Sequence, residues 1–246
     1  MNPAEFDSLE RSEHSHWWFQ GQTGILFDLL SGLKDPISSV LDAGCGTGFL
    51  AGQVERKFGW RVTALDASAR AVSLAKERGL ARVMQSDAAK LPFAGAAFDA
   101  VLSMDVLVHF PEGGERPAIE EFHRVLKPGG ALVLRVSALD ILRSSHSTFI
   151  LEKQRFTLER LASELRQCGF EIKWASYVNS LLMPVALFKF RVWEPLTQSR
   201  PASGTAPVAP WLNKLLSIPL AVERKLLRMG MRFPAGQSIV IVGRKV

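Results

Sequence analysis

Asp42, Asp66 and Asp87 close three short apolar runs, "SSVLDAG", "WRVTALDA" and "ARVMQSDA", and Gly44, Gly46 and Gly48 follow the first of them. Glycine is used where the chain turns with positive φ or where a ligand must come against bare backbone. A carboxylate such as Asp66, about twenty residues after a glycine loop, can accept two hydrogen bonds from a ribose diol and disfavours a 2′-phosphate. Asp87, at the end of the next run, can receive the exocyclic amine of an adenine. Each acid alone also reads as a solvated strand end; three beside one glycine loop point to a nucleoside ligand. Because "GCGTG" approximates the start of GxGxxG, a nicotinamide cofactor stays open at this level. His109, in "DVLVHF", adds an imidazole, whose ordinary pKa of about 6.5 suits it to take a proton from a hydroxyl.

Such residues need rigid elements to hold them. Seven short runs read as strands: the three above, "FDAVLSMDV", "GGALVLRVS", "FEIKWASYV" and "SIVIVGRKV". Between residues 37 and 178 they alternate with helical spacings, as in "TGFLAGQVERKFG", "SARAVSLAKERG", "RPAIEEFHRVLKPGG" and "TLERLASELRQCGF". This alternation implies an α/β fold with a doubly wound, mostly parallel sheet whose last strand is antiparallel. Ligands of such sheets bind at the carboxyl ends of the strands, where helix N-termini offer free amides. The expected organisation is an N-terminal helical cap over 1–36, a Rossmann-like core over 37–178, a helical insertion over 179–236 with a mobile loop near 197–210, and a final core strand over 237–246.

The chain has 246 residues, 47% of them hydrophobic and 22% charged, with a net charge of +6, which excludes a disordered polypeptide. Cys45 and Cys168 make neither a disulfide framework nor a zinc spacing, so no metal is expected and a reducing compartment fits. The polar start "MNPAEFDSLERSEHSHWWF" lacks the apolar core of a signal peptide, and no uncharged run reaches the ~18 residues of a spanning helix. The location read from these features is cytoplasmic, or peripheral at the inner face of a membrane. Residues 179–246 hold ten Lys or Arg against two acids, Glu194 and Glu223. No aromatic-interleaved or helix-turn-helix pattern accompanies them, so nucleic acid is not the expected partner. In "PWLNKLLSIPLAVERKLLRMG", Leu212, Leu215, Leu216, Val222 and Leu226 read as one apolar side, serving internal packing, a substrate lid, a homodimer face or a membrane surface.

Taken together, "VLDAGCGTG", "VTALDAS", "SDAAKLPF", "FDAVLSMDVLVHF" and "VLKPGGALVLRV" resemble the class I S-adenosylmethionine-dependent methyltransferases, in their small-molecule, type 11-like branch. The resemblance covers 37–178 and 238–246. It implies that Gly44, Cys45 and Gly46 line the methionine part of S-adenosylmethionine, Asp66 the ribose, and Asp87 with Ala88 the adenine, with Met104 near the ring or sulfonium; Asp42 and Ala67 also belong to the cofactor set. The N-terminal "HWWFQGQ" is similar to the "HWWFRGRR" opening of a bacterial methyltransferase group associated with polysaccharide or lipid modification, where it caps the cofactor. Trp18 and Gln20 enter the cofactor set on that basis, although Gln20 and Gln22 stand where arginines are usual. The loop "VSALDILRSSHSTFILEKQRFTLERL" resembles the same group's substrate-entrance segment and implies His146 as a base beside His109, with Arg143 and Arg155 toward the substrate; Ser147 and Gln154 replace an acid and an arginine of the pattern. The implied activity is in-line transfer of a methyl group to a small-molecule or lipid- or saccharide-linked acceptor, leaving S-adenosylhomocysteine, by a monomer or homodimer. A cofactor-binding protein without transfer activity and a nicotinamide oxidoreductase are the alternatives.

Overall fold

The structure, a computed structural model, describes residues 1–246 apart from Ser199 and Pro207. Two helices open the chain, α1 (Pro3–Ser12) and α2 (Trp17–Ser31), followed by β1 (Ser39–Ala43), α3 (Phe49–Phe58), β2 (Arg61–Asp66), α4 (Ala69–Glu77), β3 (Val83–Gln85) and β4 (Phe98–Met104). Then come α5 (Arg116–Val125), β5 (Leu126–Ser137), α6 (Ser145–Phe149), α7 (Leu158–Gln167) and β6 (Phe170–Val178). Helix α8 (Met183–Phe188) runs through a π turn (Lys189–Trp193) into α9 (Glu194–Leu196); α10 (Pro210–Arg228) and β7 (Ser238–Lys245) complete the chain.

The seven strands lie in the order β3-β2-β1-β4-β5-β7-β6. Strand β7 enters antiparallel between β5 and β6, and the β1–β2, β1–β4, β2–β3 and β4–β5 pairs are parallel. The fold is therefore the Rossmann-like, mostly parallel α/β sheet that the strand pattern implies. Its order reverses between β1 and β4, so connections leave that point toward opposite sides and open a crevice at the strand ends. Both faces are covered. Ile119 and Phe122 of α5 and Leu161 and Leu165 of α7 fill one side; Ile25 and Leu30 of α2, Val54 of α3 and Leu227 of α10 fill the other.

Helix α10 departs from the expected stripe. It buries Leu220, Glu223 and Leu227, while Leu215 and Val222 of the predicted side are exposed. The reason lies in α2: a Cβ on Gly21 would overlap the Leu220 side chain, and one on Gly24 would stand 2.8 Å from Arg224 Nη1. These two glycines open a groove for Leu220 and Arg224, and Arg224 closes a bidentate pair with Asp28 at 2.6 and 2.7 Å. The inner face is set by that groove rather than by the count of leucines.

The described part of the 197–210 connection is anchored rather than free, while Ser199 and Pro207 of the predicted mobile loop lie outside the described residues. Ser203 and Thr205 bond the buried Ser8 hydroxyl at 2.9 and 3.2 Å, and the Thr205 hydroxyl donates to Glu5 at 3.1 Å.

Glu223 is the deepest polar anchor of the insertion. Its carboxylate, 0% exposed, accepts the backbone N–H groups of Asn179, Ser180 and Leu181 at 2.6, 2.7 and 3.0 Å. Asn179 holds φ 58°, which its short amide side chain tolerates, and accepts Gln22 Nε2 at 2.9 Å. The cap, the end of β6 and α10 thus meet in one buried network. Glu223→Gln replaces an acceptor-only carboxylate by an amide that turns donors toward those N–H groups. The variant should unfold about 1.5 to 3 kcal/mol more easily in urea, with m unchanged; an unaltered midpoint would show that the network contributes nothing.

Candidate active site

A cavity of about 1120 Å³ occupies the crevice at the carboxyl ends of the strands. Its floor is the turn after β1. The N–H groups of Gly44 and Cys45 both reach the Leu65 carbonyl at 2.8 Å, and the Gly46 N–H donates to Asp66 at 3.0 Å. Ser68 N–H donates to the other Asp66 oxygen at 2.9 Å. The loop holds φ of 91°, 54° and 76° at Gly44, Gly46 and Gly48.

The three glycines have different reasons to be bare. A Cβ at Gly44 would overlap Val106, and one at Gly48 would lie 2.8 Å from the Ala75 Cβ and also strike Leu80. These two let neighbouring elements pack. Only at Gly46 would a Cβ meet nothing within 4 Å, so the open approach expected of the whole loop belongs to Gly46.

Asp42 lies beneath this loop with 1% exposure, and its Oδ2 has no partner. Burial, and then the neighbouring Asp66, push it up to about 7. Cys45 lines the cavity as a small neutral group, its thiol pushed up by burial and by the two acids. Ala67, Asp87 and Ala88 form the edge beyond β2 and β3, and Met104 lines the wall after β4. Asp87 stabilises its own turn by accepting the Ala89 N–H at 2.9 Å.

The cap closes the cavity through residues that the sequence did not single out. Buried Glu13 accepts the Thr47 hydroxyl at 2.7 Å and pairs with Arg78; burial pushes its carboxyl up to about 7. Arg135, at the end of β5, pairs with Asp105 at 2.5 Å and lies 4.8 Å from the Trp18 ring centre. A single arginine in the otherwise apolar "ALVLRVS" was the available signal for it. Trp18 lines the cavity, but Gln20 does not: it is exposed and donates to the His14 carbonyl at 3.3 Å. The helical turn aims it away from the crevice.

Both histidines line the cavity, in different states of use. His109 Nδ1 lies 3.4 Å from the Leu151 carbonyl, an acceptor only, so Nδ1 carries the proton and Nε2 keeps its lone pair. Burial lowers the His109 pKa, which keeps the ring neutral. His146 is bonded the other way: Nδ1 accepts the Gly204 N–H at 2.9 Å, so in the neutral ring Nε2 carries the proton and no free lone pair remains.

Arg155 lines the cavity while its guanidinium serves Glu152 at 3.1 Å, the Ala138 carbonyl at 3.1 Å and Ser147 Oγ at 3.0 Å. Ser147 thus receives an arginine where the pattern has an acid. Arg143 is exposed, pairs with Asp140 at 2.8 Å, and lines a smaller depression beside the cavity with Ser144, Ser145, Phe190 and Glu194. The remaining wall comes from the insertion: Leu182, Val185, Ala186, Phe190 and Trp193, with Lys189 and Arg200 among them. Among the described residues, no group of three or more His, Cys, Asp or Glu side chains could hold a metal ion.

Residues 40–130, which contain the glycine loop and all three strand-end acids, match the family model described as "Methyltransferase domain". These residues match a methyltransferase domain, and the sheet around them has the Rossmann-like fold of the class I S-adenosylmethionine-dependent methyltransferases. The chain is 32% identical over 65% of its length to a malonyl-[acyl-carrier protein] O-methyltransferase of Pseudescherichia vulneris, covering 63% of that protein. The chain spans about three fifths of the length of the first curated relatives it matches. Among solved structures, a sarcosine dimethylglycine methyltransferase from Galdieria sulphuraria superposes with a TM-score of 0.60 at 20% identity, over 92% of this chain and 85% of that one. A geranyl diphosphate C-methyltransferase from Streptomyces coelicolor, in complex with S-adenosyl-L-homocysteine, gives 0.62 at 17% identity, over 92% and 77%. At these identities the two structures speak for the fold.

The division of labour among the glycines of this loop is open to test. Gly46→Ala adds a methyl that meets only cavity space; it should cost about 1 to 2 kcal/mol of stability from the left-handed backbone yet weaken S-adenosylhomocysteine binding at least tenfold in calorimetry. Gly44→Ala, which overlaps Val106, should lose far more stability. Equal loss of affinity and stability in both variants would refute the distinction.

Proposed function

We propose that this domain transfers a methyl group from S-adenosylmethionine to a hydroxyl or carboxyl oxygen of a small-molecule or lipid-linked acceptor that has an apolar body and an anionic group. The observation that carries the cofactor assignment is the buried, unpartnered Asp42 oxygen beneath the open backbone of Gly46. A buried carboxylate oxygen without a partner is costly, and an ammonium is the complement it lacks. Asp66, already fixed by two N–H groups, retains lone pairs for a ribose diol, and Asp87 with Ala88 suits the adenine edge. These residues fit the cofactor's amino-acid and nucleoside ends. When bound, S-adenosylmethionine supplies a methyl group already activated by its sulfonium.

What remains for the chain is to position the acceptor and receive its proton. Alignment of reactants can supply much of the barrier reduction. Val185, Ala186, Phe190 and Trp193 offer an apolar wall, and Lys189 and Arg200 beside them favour an anionic substituent. For a hydroxyl acceptor His109 is the better base, since Nε2 can accept a proton while Nδ1–H stays on the Leu151 carbonyl. The hydrogen bond from Gly204 leaves His146 as a donor that orients the acceptor. An acceptor carboxylate needs no base, and on such a substrate His109 would matter little.

Labelled methyl transfer into fractionated cell extract tests the reaction, and the nucleotide that copurifies tests the cofactor: S-adenosylhomocysteine is expected, and a nicotinamide dinucleotide would overturn the reading. With a hydroxyl acceptor, His109→Gln should lower kcat about a hundredfold or more with KM little changed, and His146→Ala should cost less. The wild-type rate should fall on the acid side with a midpoint below about 6.5, because burial lowers the His109 pKa and only the neutral ring accepts a proton. A larger kcat loss at His146 would reverse the roles.

Cofactor affinity should also depend on pH through Asp42. Its carboxyl stands at about 7, so ionisation, and with it the hold on an ammonium, grows as pH rises through 7. S-adenosylhomocysteine should bind more tightly at pH 8 than at pH 6, and Asp42→Asn should flatten that dependence; a wild-type affinity independent of pH would reject the contact.

A further inference from the structure

Helix α10 has two apolar faces, and α2 covers one of them. Leu216, Leu220 and Leu227 turn inward or toward the cavity. On nearly the opposite side Trp211, Leu215, Ile218 and Val222 follow at i, i+4, i+7 and i+11, the repeat of a single helical face. They are 69, 53, 54 and 46% exposed. Four large apolar side chains aligned in solvent are not the scattered surface residues of an ordinary domain. At 19 residues the helix presents this stripe along about 28 Å.

The charges around the stripe have one sign. Lys214 and Lys225 lie about 70° and about 50° from its centre at 100° per residue, and Arg228 follows at the helix end; all three are exposed. The helix has one acid, Glu223, and it is buried against Asn179, Ser180 and Leu181. Its remaining cation, Arg224, turns inward to Asp28. The outward face therefore carries lysine, arginine and apolar groups and no carboxylate. A basic rim along an apolar stripe with a tryptophan at one end is the chemistry of a helix lying in the interface of an anionic bilayer. A second copy of the chain fits less well, because a two-fold contact through this face would bring Lys214, Lys225 and Arg228 against their own like charges. Among the described residues no helix is long and apolar enough to cross a membrane, so the contact would lie along the surface.

We infer that the outward face of α10, through Trp211, Leu215, Ile218 and Val222 with Lys214 and Lys225, docks this protein on an anionic membrane surface. None of these six residues lines the cavity, so the inference stands independently of the acceptor. The insertion also carries exposed Val185 and Trp193 at the cavity wall, so docking would bring the acceptor side of the crevice near lipid.

Flotation of the full-length protein with phosphatidylcholine vesicles, with and without phosphatidylglycerol, tests this at low and high salt. Binding is expected with the anionic vesicles only, weakened by salt as exposed charges are screened. Lys214→Glu/Lys225→Glu should reduce partitioning roughly tenfold or more, and Leu215→Asp/Ile218→Asp should abolish it, both with unchanged thermal melting because the altered side chains are exposed. Brominated lipid should quench a fluorescence component that Trp211→Phe removes. Absence of flotation, or equal flotation with neutral vesicles at any salt, would overturn the inference. A wild-type dimer in sedimentation equilibrium that Leu215→Asp/Ile218→Asp dissociates would overturn it in favour of a second copy.

Discussion

The bond between the turn after β1 and the end of β2 is the constraint on which the site depends. Leu65 accepts two successive N–H groups from Gly44 and Cys45, and Asp66 takes the next from Gly46. In donating three neighbouring amides to one strand end the chain runs through left-handed backbone at Gly44 and Gly46. That turn leaves Asp42 covered and half unsatisfied, presents the bare edge of Gly46 to the crevice and starts α3 beside it. Asp66 is thereby both a structural acceptor and a wall of the cavity, so its role in holding the loop cannot be separated from any role toward a ligand by a single substitution.

Around this fixed floor the rest of the crevice is assembled by polar seams. Glu13 joins the cap to Thr47 and Arg78, Arg135 joins Trp18 to Asp105, and Glu223 joins α10 to the end of β6. Each seam is buried or half-buried, where an unmet partner is costly. The joints around the cavity are in consequence held by buried or half-buried charges with hydrogen-bond partners, with apolar side chains between them.

The sheet was legible because its strands are short β-branched or apolar runs separated by helical spacings, and the two faces of "RPAIEEFHRV" are plain in sequence: Ala118, Ile119, Phe122 and Val125 are its buried residues. Other features were not legible, for identifiable reasons. Two apolar faces on one helix look like one broad face in a sequence, so the packing of α10 depended on Gly21 and Gly24, almost two hundred residues away. The different bonding of His109 and His146 follows from a carbonyl at Leu151 and an amide at Gly204, neither of which has a side-chain signature. Gln20 was drawn toward the cavity by its motif, yet one helical turn holds it outside, and Arg143 lies at a smaller depression beside it. Glu13 stood directly before the "HSHWWF" segment, but only its burial against Thr47 marks it as part of the wall.

The seams joining cap and insertion span most of the chain. Ser8 meets Ser203 across 195 positions, Trp17 meets Asn213 across 196, and Asp28 meets Arg224 across 196. Loop-closure entropy must be met before contacts of such separation return any stabilisation. During synthesis the strands β1 to β5 can pair while α10 is still unmade, and the glycine turn can form with them. The wall of the crevice cannot. A nascent chain at that stage has the glycine turn without the wall that the insertion supplies, and the crevice stays open until α10 is made and reaches the groove of α2.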